Sequence, residues 1–389
     1  CDPDVIGETC DHNLLSGTRY LPAVDPRSSG GAGRCRASLR REALSQEMEA
    51  WLDERQFPRE WHPDQVVHLS LNDTSGFGVT LHLIAQVLST SLRRNKTMVM
   101  HGPFSYFRHR GCSAPGGAAD LTCYFAPSHA PCPPEVLWAA KDVEFTANYQ
   151  LSHPWDIPAR FNVSGGGVFF WLSNLSRYLM TPNRRLDSLL RRVKNAIGFA
   201  HPIMGVHVRH GDSCPKWEDK HSHLPGAKCH AFQKYVDQME EMKRRYGVTR
   251  VFLCTDDPSV VAQLADYPQF DFVHLHFDRT VFAASDWAIE LKLLMATIDR
   301  RLVAETSLLD IFLLSHADYM VGTLSSHFAS LAYELSSAAK GYHPPYISLD
   351  YPWRGSLLSP VSFYDQSGAT TQEVELNEGR RDFGKATKT

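Results

Sequence analysis

From residue 203 onward, short apolar runs alternate with amphipathic stretches, and few folds satisfy that alternation. Ile203–Arg209, Arg250–Cys254, Asp271–Leu275 and Asp318–Gly322 read as strands. Ala231–Tyr246, Leu302–Ser315 and Ser326–Ser336 read as helices between and after them. Strand and helix in strict turn predict a doubly wound parallel sheet covered on both faces. Ligands of such sheets sit beyond the carboxyl ends of the strands. The candidate site is therefore 207–212, 255–257 and 323–327, and Asp257 is placed to cap a helix opening at Pro258.

The first half repeats the pattern once. Val66–Leu71 is a strand and Asn72–Gly78 a turn of small residues, followed by a helix over Val79–Leu92 and a second strand over Thr97–Met100. A helix is predicted over Ser38–Arg55, a loop stapled by cysteines over about 102–135, and a helix over Arg184–Phe199. At 389 residues the chain exceeds one ordinary domain. The expected division is an extension with a helix at 1–60, an α/β lobe at 61–200, a Rossmann-like lobe at 201–352 and a tail at 353–389.

Charge and cysteine content narrow the class. Forty Lys+Arg against 43 Asp+Glu leave a net charge of -3, which argues against non-specific nucleic-acid binding. No run of about 18 apolar residues is present to span a membrane. Nine Asn include four that head N-x-[ST] sequons, Asn72, Asn95, Asn162 and Asn174, where chance gives roughly one. Of nine Cys, Cys1, Cys10, Cys35, Cys112, Cys123, Cys132, Cys214 and Cys229 lie in polar, turn-rich contexts, whereas Cys254 lies in a strand. Eight paired and one free is the expected arithmetic. Together these features point to a Golgi or other secretory-pathway lumen, with any signal or membrane anchor outside this sequence.

Several residues at the predicted strand ends suit phosphate chemistry. Arg209 carries a fixed planar fork of donors, fit for a phosphate or for an ordinary ion pair. His207 alternates with Val206 and Val208, so it serves the site or the core; Asp212 orients Arg209 or caps a turn. Thr323-Leu324-Ser325-Ser326-His327 opens a helix, whose free N–H groups and positive dipole end suit a diphosphate as well as a plain serine cap. Asp310 stands among Leu308, Leu309, Ile311 and Phe312 and requires a partner, either Arg209 or the N1 and N2 donors of a guanine. The loop from Cys214 to His223 carries Glu218 and Asp219, each able to act as a general base or to lie on a solvated face. His221-x-His223 and His274-x-His276 lack a clear third ligand, and no metal is expected.

Taken in order, Gly205-Val206-His207-Val208-Arg209, Thr255-Asp256-Asp257-Pro258, Asp310 to Tyr319 and Thr323-Leu324-Ser325-Ser326 resemble the motif series of the α-1,6-fucosyltransferases. Ser75-Gly76-Phe77-Gly78 resembles the glycine-rich donor loop of that family's first half. The resemblance covers about 65–350 and is strongest in 203–335. It implies a two-lobed glycosyltransferase fold of the B type and a metal-independent, inverting transfer of fucose from GDP-fucose. The acceptor implied is an oligosaccharide or glycoprotein, such as the N-glycan core. By the same resemblance Arg209 holds the β-phosphate, and His207 and Asp310 meet the guanosine. Ser325 and Ser326 cap the diphosphate beside His327, and Asp256 supports the pocket with His210 and Asp212. Gly76, Phe77 and Gly78 line the donor, Glu218 or Asp219 is the base, and Tyr235 meets the acceptor. This sequence has His210 where the family has a second Arg and Ser213 where it has a Lys.

Two rival readings remain. Arg209-His210-Gly211 after a strand is similar to the nucleophile motif of histidine phosphatases. A non-catalytic sugar-nucleotide or glycan-binding protein on a transferase fold is the other.

Overall fold

The computed structural model describes residues 19–20, 36–71, 75–112, 120–145, 157–162, 167–211, 229–282, 289–350, 353, 363–364 and 370–371. In chain order these form β1 (Arg19–Tyr20), α1 (Arg36–Gln56), β2 (Val66–Ser70), α2 (Phe77–Arg93), β3 (Thr97–His101), α3 (Pro134–Ala139), β4 (Asp142–Phe145), α4 (Ala159–Asn162), α5 (Gly167–Leu179) and α6 (Arg184–Ile197). The second half adds β5 (Met204–Val208), α7 (Phe232–Tyr246), β6 (Arg250–Thr255), α8 (Pro258–Ala262), β7 (Asp271–His274), α9 (Ile289–Leu294), α10 (Arg300–His316), β8 (Tyr319–Gly322), α11 (His327–Lys340), β9 (Tyr346–Ser348), β10 (Phe363–Tyr364) and β11 (Thr370–Thr371). The α/β class and every strand expected from the alternation are present.

Two parallel sheets organise the chain. In the first, β2 lies between β3 and β4, with Val67 opposite Met98 and Asp142. The second runs β1-β9-β8-β5-β6-β7, parallel except where β1 meets β9. Local chemistry sets the helix ends. Asn183 accepts hydrogen bonds from the N–H groups of Arg185 and Leu186 to start α6, and Asp299 does the same for Arg301 and Leu302 at α10. Asp257 accepts from Ser259 N at 2.8 Å with Pro258 in the first helical position, as expected.

Strand alternation sorts the second sheet into two faces. Met204, Val206 and Val208 of β5 pack with Tyr235, Val236, Met239 and Met242 of α7. Phe252 and Cys254 of β6 turn to the other face and join Ile311 and Leu314 of α10. That second core does not stop at the sheet. It continues through Leu331 and Tyr333 of α11 into Ile84 and Leu88 of α2 and Trp171 and Leu175 of α5. Gly78 makes this contact close, because a β-carbon there would lie 2.8 Å from the His327 carbonyl carbon. α5 is buried on most of its surface, including Phe169, Phe170, Trp171 and Leu172 in succession.

Cys112 and Cys123 form a disulfide across the loop between β3 and α3, which consists of short 3-10 turns. Cys229 is also disulfide-bonded. The expectation of eight paired cysteines fails, because Cys132 is a free thiol like buried Cys254 and seven cannot all pair. Among the described residues no helix is long and apolar enough to cross a membrane.

Candidate functional site

The carboxyl ends of β5, β6 and β8 bring the predicted residues together. Arg209 follows β5 and forms an ion pair with Asp256, which follows β6. The second Asp256 oxygen accepts from the His210 backbone N–H at 3.0 Å, so one carboxylate sets both the guanidinium and the turn behind it. Gly211 completes that turn at φ +39°, and a β-carbon there would fall 2.4 Å from Asp256 Oδ2. Asp256 thus orients Arg209, a role also open to Asp212; Asp212 lies outside the described residues, as do Glu218 and Asp219.

His210 is held on both sides. Its Nδ1 lies 2.8 Å from Asp257 Oδ2 and its Nε2 lies 2.8 Å from the His230 carbonyl oxygen. Half-burial works against ionised Asp257, but the bonds from His210 and Ser259 outweigh it and hold that carboxyl below its ordinary range. Both ring nitrogens of His210 are thus engaged by protein oxygens, and neither is directed at a ligand. The histidine-phosphatase reading fails on this geometry.

A buried polar pocket lies on the α10 face of the sheet. His207 and Cys254 sit side by side across the β5–β6 pair, and the Asp310 carboxyl neighbours Cys254. His207 is 4% exposed and Asp310 6% exposed. Among the described residues neither His207 Nδ1 nor Asp310 Oδ1 has a hydrogen-bond partner, an arrangement that buried polar atoms avoid unless a ligand completes them. Burial pushes Asp310 up to about 7, against the opposing pull of Arg279 and the Cys254 thiol. Burial, then the charge of Arg209, pushes His207 down to about 3, so its ring is neutral. The same ring stacks on Phe328 at 5.2 Å and 14°. Arg279, which no local motif marks, is buried and donates to the Thr255 and Leu275 carbonyls at 2.9 Å each.

The helix terminus behaves differently for its two serines. Ser326 is the N-cap of α11 and its side chain makes no cap bond. The Ser325 hydroxyl is bound to Asp350, whose other oxygen accepts from Ser348 at 2.9 Å. The Ser325 hydroxyl thus anchors the loop to Asp350, another residue without a local signal. In the glycine-rich turn, the Phe77 ring is buried against Phe104 and Tyr106, so it cannot line a donor, and Gly78 serves the α2–α11 contact. A β-carbon at Gly76 would lie 3.3 Å from Glu290 Oε1.

Two further expectations are overturned. Tyr235 is fully buried inside the α7 core, where burial and then Asp350 push its hydroxyl up, so it cannot meet an acceptor. Asn174 is buried in α5 with its amide donating to the Phe170 carbonyl at 2.8 Å, leaving no room for a glycan. Asn95 and Asn162 are exposed, and Asn72 lies outside the described residues. His109 lies 3.2 Å from Cys112 Sγ, but the disulfide consumes both thiols of that cluster as metal ligands. The His274 and His276 rings lie 4.7 Å apart, tilted by 59°, without a third ligand among the described residues.

Residues 149–351 match the family model described as alpha-(1,6)-fucosyltransferase N- and catalytic domains. An alpha-(1,6)-fucosyltransferase of Drosophila melanogaster is 26% identical over 238 residues, which is 58% of this chain and 33% of the fly protein. One of Caenorhabditis elegans is 24% identical over 374 residues, 87% of this chain and 62% of the worm protein. The chain thus spans a third to three fifths of these relatives' length. Among solved structures, NodZ alpha-1,6-fucosyltransferase soaked with GDP-fucose is 15% identical at a TM-score of 0.41, over 70% of this chain and 92% of NodZ. An Arabidopsis thaliana FUT1 mutant in complex with GDP is 13% identical at a TM-score of 0.42, over 85% of this chain and 82% of that one.

Proposed function

The chain belongs to the family of alpha-(1,6)-fucosyltransferase N- and catalytic domains, and from that premise we propose that it transfers fucose from GDP-fucose to a glycan, with inversion and without a metal cofactor. The observation that carries the reading is the pairing of a carboxylate-braced Arg209 with two unpartnered buried atoms, His207 Nδ1 and Asp310 Oδ1, at one sheet edge. In this reading Asp310 accepts from guanine N1 and N2, His207 contacts the nucleoside, and Arg209 holds the β-phosphate. The Ser326 hydroxyl and the first N–H groups of α11 complete the diphosphate site.

The reaction is a single displacement. An acceptor hydroxyl oxygen forms a bond to the anomeric carbon as the bond from that carbon to the β-phosphate oxygen breaks, and its electrons leave with GDP. Glu218, with Asp219 next, takes the hydroxyl proton. Arg209 and the α11 dipole stabilise the departing charge, so the reading asks no divalent cation of the site. The glycan proposed as acceptor is the inner part of an N-glycan. The Cys112–Cys123 disulfide and the exposed sequon residues Asn95 and Asn162 support a secretory-pathway lumen such as the Golgi.

A thermal-shift panel of GDP, UDP, CMP and ADP, each with and without EDTA, tests the donor. Ligand at 100 times Kd adds about 2.7 kcal/mol of stability. Selective stabilisation by GDP, indifferent to EDTA, is expected. Stabilisation by another nucleotide alone overturns the donor, and GDP binding without turnover leaves a sugar-nucleotide-binding protein.

A further inference from the structure

A buried chain of three ionisable residues leads from the first half of the molecule to the N-terminus of α11. Glu334 is 0% exposed and accepts from Ser176 Oγ at 3.0 Å and from Trp353 Nε1 at 2.8 Å. Its Oε2 also faces His82 Nε2 at 3.1 Å. His82 is buried in α2, and its Nδ1 lies 2.6 Å from the Nδ1 of His327, the first residue of α11. The His327 ring is partly exposed, and no hydrogen bond from its Nε2 to a described residue exists.

The short contact between the two Nδ1 atoms holds one proton, and the side it comes from sets the His327 tautomer. A carboxylate so deeply buried is tolerable when it is paired with a cation. Among the described residues its ion-pair partner is His82. As an imidazolium, His82 donates from Nε2 to Glu334 and from Nδ1 to His327 Nδ1. His327 then accepts at Nδ1, and its own proton sits on Nε2. A neutral His82 would keep its Nε2 bond to Glu334 and accept at Nδ1 from His327 Nδ1–H, leaving the buried carboxylate charge unbalanced. Burial, and then the neighbouring His82, pushes His327 well below its ordinary range, which keeps that ring neutral.

We propose that Glu334 and His82 are positioning residues that fix His327 in the tautomer protonated on Nε2, adding a side-chain donor to the diphosphate site at the start of α11. The inference rests on the GDP-donor reading for its ligand. His327 follows the uncapped Ser326 as the first residue of the helix, so a donor on its Nε2 would add to the N–H groups of the first turn. Its hydrogen bond strengthens as charge develops on the β-phosphate oxygen, with no proton transfer required.

The experiment is long-range 1H–15N correlation on histidine-labelled protein, combined with calorimetric titration of GDP and of guanosine. Wild type is expected to show His327 protonated on Nε2. In His82→Gln the amide can donate to Glu334 and accept from His327, so the tautomer flips and an unprotonated Nε2 meets the anion. GDP affinity then falls about tenfold, the scale of one charge-assisted hydrogen bond, while guanosine affinity is unchanged. Nδ1 protonation of His327 in wild type, or equal losses for GDP and guanosine in His82→Gln, overturns the proposal. Should His82→Gln fail to fold, His327→Ala at the partly exposed end must weaken GDP and spare guanosine; unchanged GDP affinity overturns it. Wild type that binds neither ligand removes the nucleotide reading instead, and the His327 tautomer still decides the relay by itself.

Discussion

Replacing Asp310 by Asn isolates the most heavily perturbed carboxyl of the pocket. Burial raises Asp310 from 3.8 to about 7. The raised value makes the ionised form a liability of the free fold, opposite in sign to the usual paired carboxylate. The penalty is absent below about 3.8, grows as pH rises through 7 and is then constant. Three units correspond to about 4 kcal/mol, an upper figure because Arg279 and Cys254 rearrange around the charge. Ligand-free Asp310→Asn should therefore gain stability over wild type as pH rises from 4 to 8, measured as the difference between two urea-unfolding series. Guanine reverses the preference, since its N1 and N2 donors favour the carboxylate. Wild-type affinity for guanosine, which has no titrating phosphate, should fall up to tenfold per pH unit below 7, with proton release on binding seen in buffers of different ionisation enthalpy. Asp310→Asn should bind guanosine more weakly and without this pH dependence. A flat wild-type profile with guanosine affinity equal to that of Asp310→Asn refutes the placement of the base.

Other substitutions probe the rest of the site. Gly211→Ala combines a positive φ with a β-carbon 2.4 Å from Asp256 Oδ2, so it should displace the Arg209 brace and weaken GDP by at least tenfold in calorimetry, about 1.4 kcal/mol. Glu218→Gln should abolish most turnover while leaving GDP affinity within twofold, checked by kcat and titration together. Intact-mass measurement of protein from a glycosylating host should show a glycan lost in Asn95→Gln, and no mass change beyond the substitution in Asn174→Gln.

The fold was legible where periodicity is one-sided. β5, β6 and β8 stood out because each is bounded by turn residues, and α7 because its charged face opposes Phe232, Val236, Met239 and Met242. Tyr235 belongs to that same apolar stripe, a signal that argues for the core against the acceptor role implied by resemblance. Arg279, Asp350 and the Glu334–His82 pair were invisible for another reason. Glu334 and His82 lie 252 residues apart, and Arg279 and Asp350 reach back to Thr255 and Ser325 across intervening elements, meetings that no local pattern encodes. The cysteines show the limit of counting: parity suggested four pairs, but Cys132 stays free.

The seating of α11 on α2 and α5 has a consequence for how the chain is made. Synthesis delivers Ile84, Leu88, Trp171 and Leu175 long before Leu331 and Tyr333, the residues that finish covering them. For that interval the early helices expose apolar surface, and the native contacts they await are of long sequence separation, which slows folding and invites aggregation. A chain stopped before residue 327 would therefore lose more than the helix terminus at the sheet edge. It would leave the first sheet's helices without their cover, so premature truncation in the second half should surface as misfolding of the first.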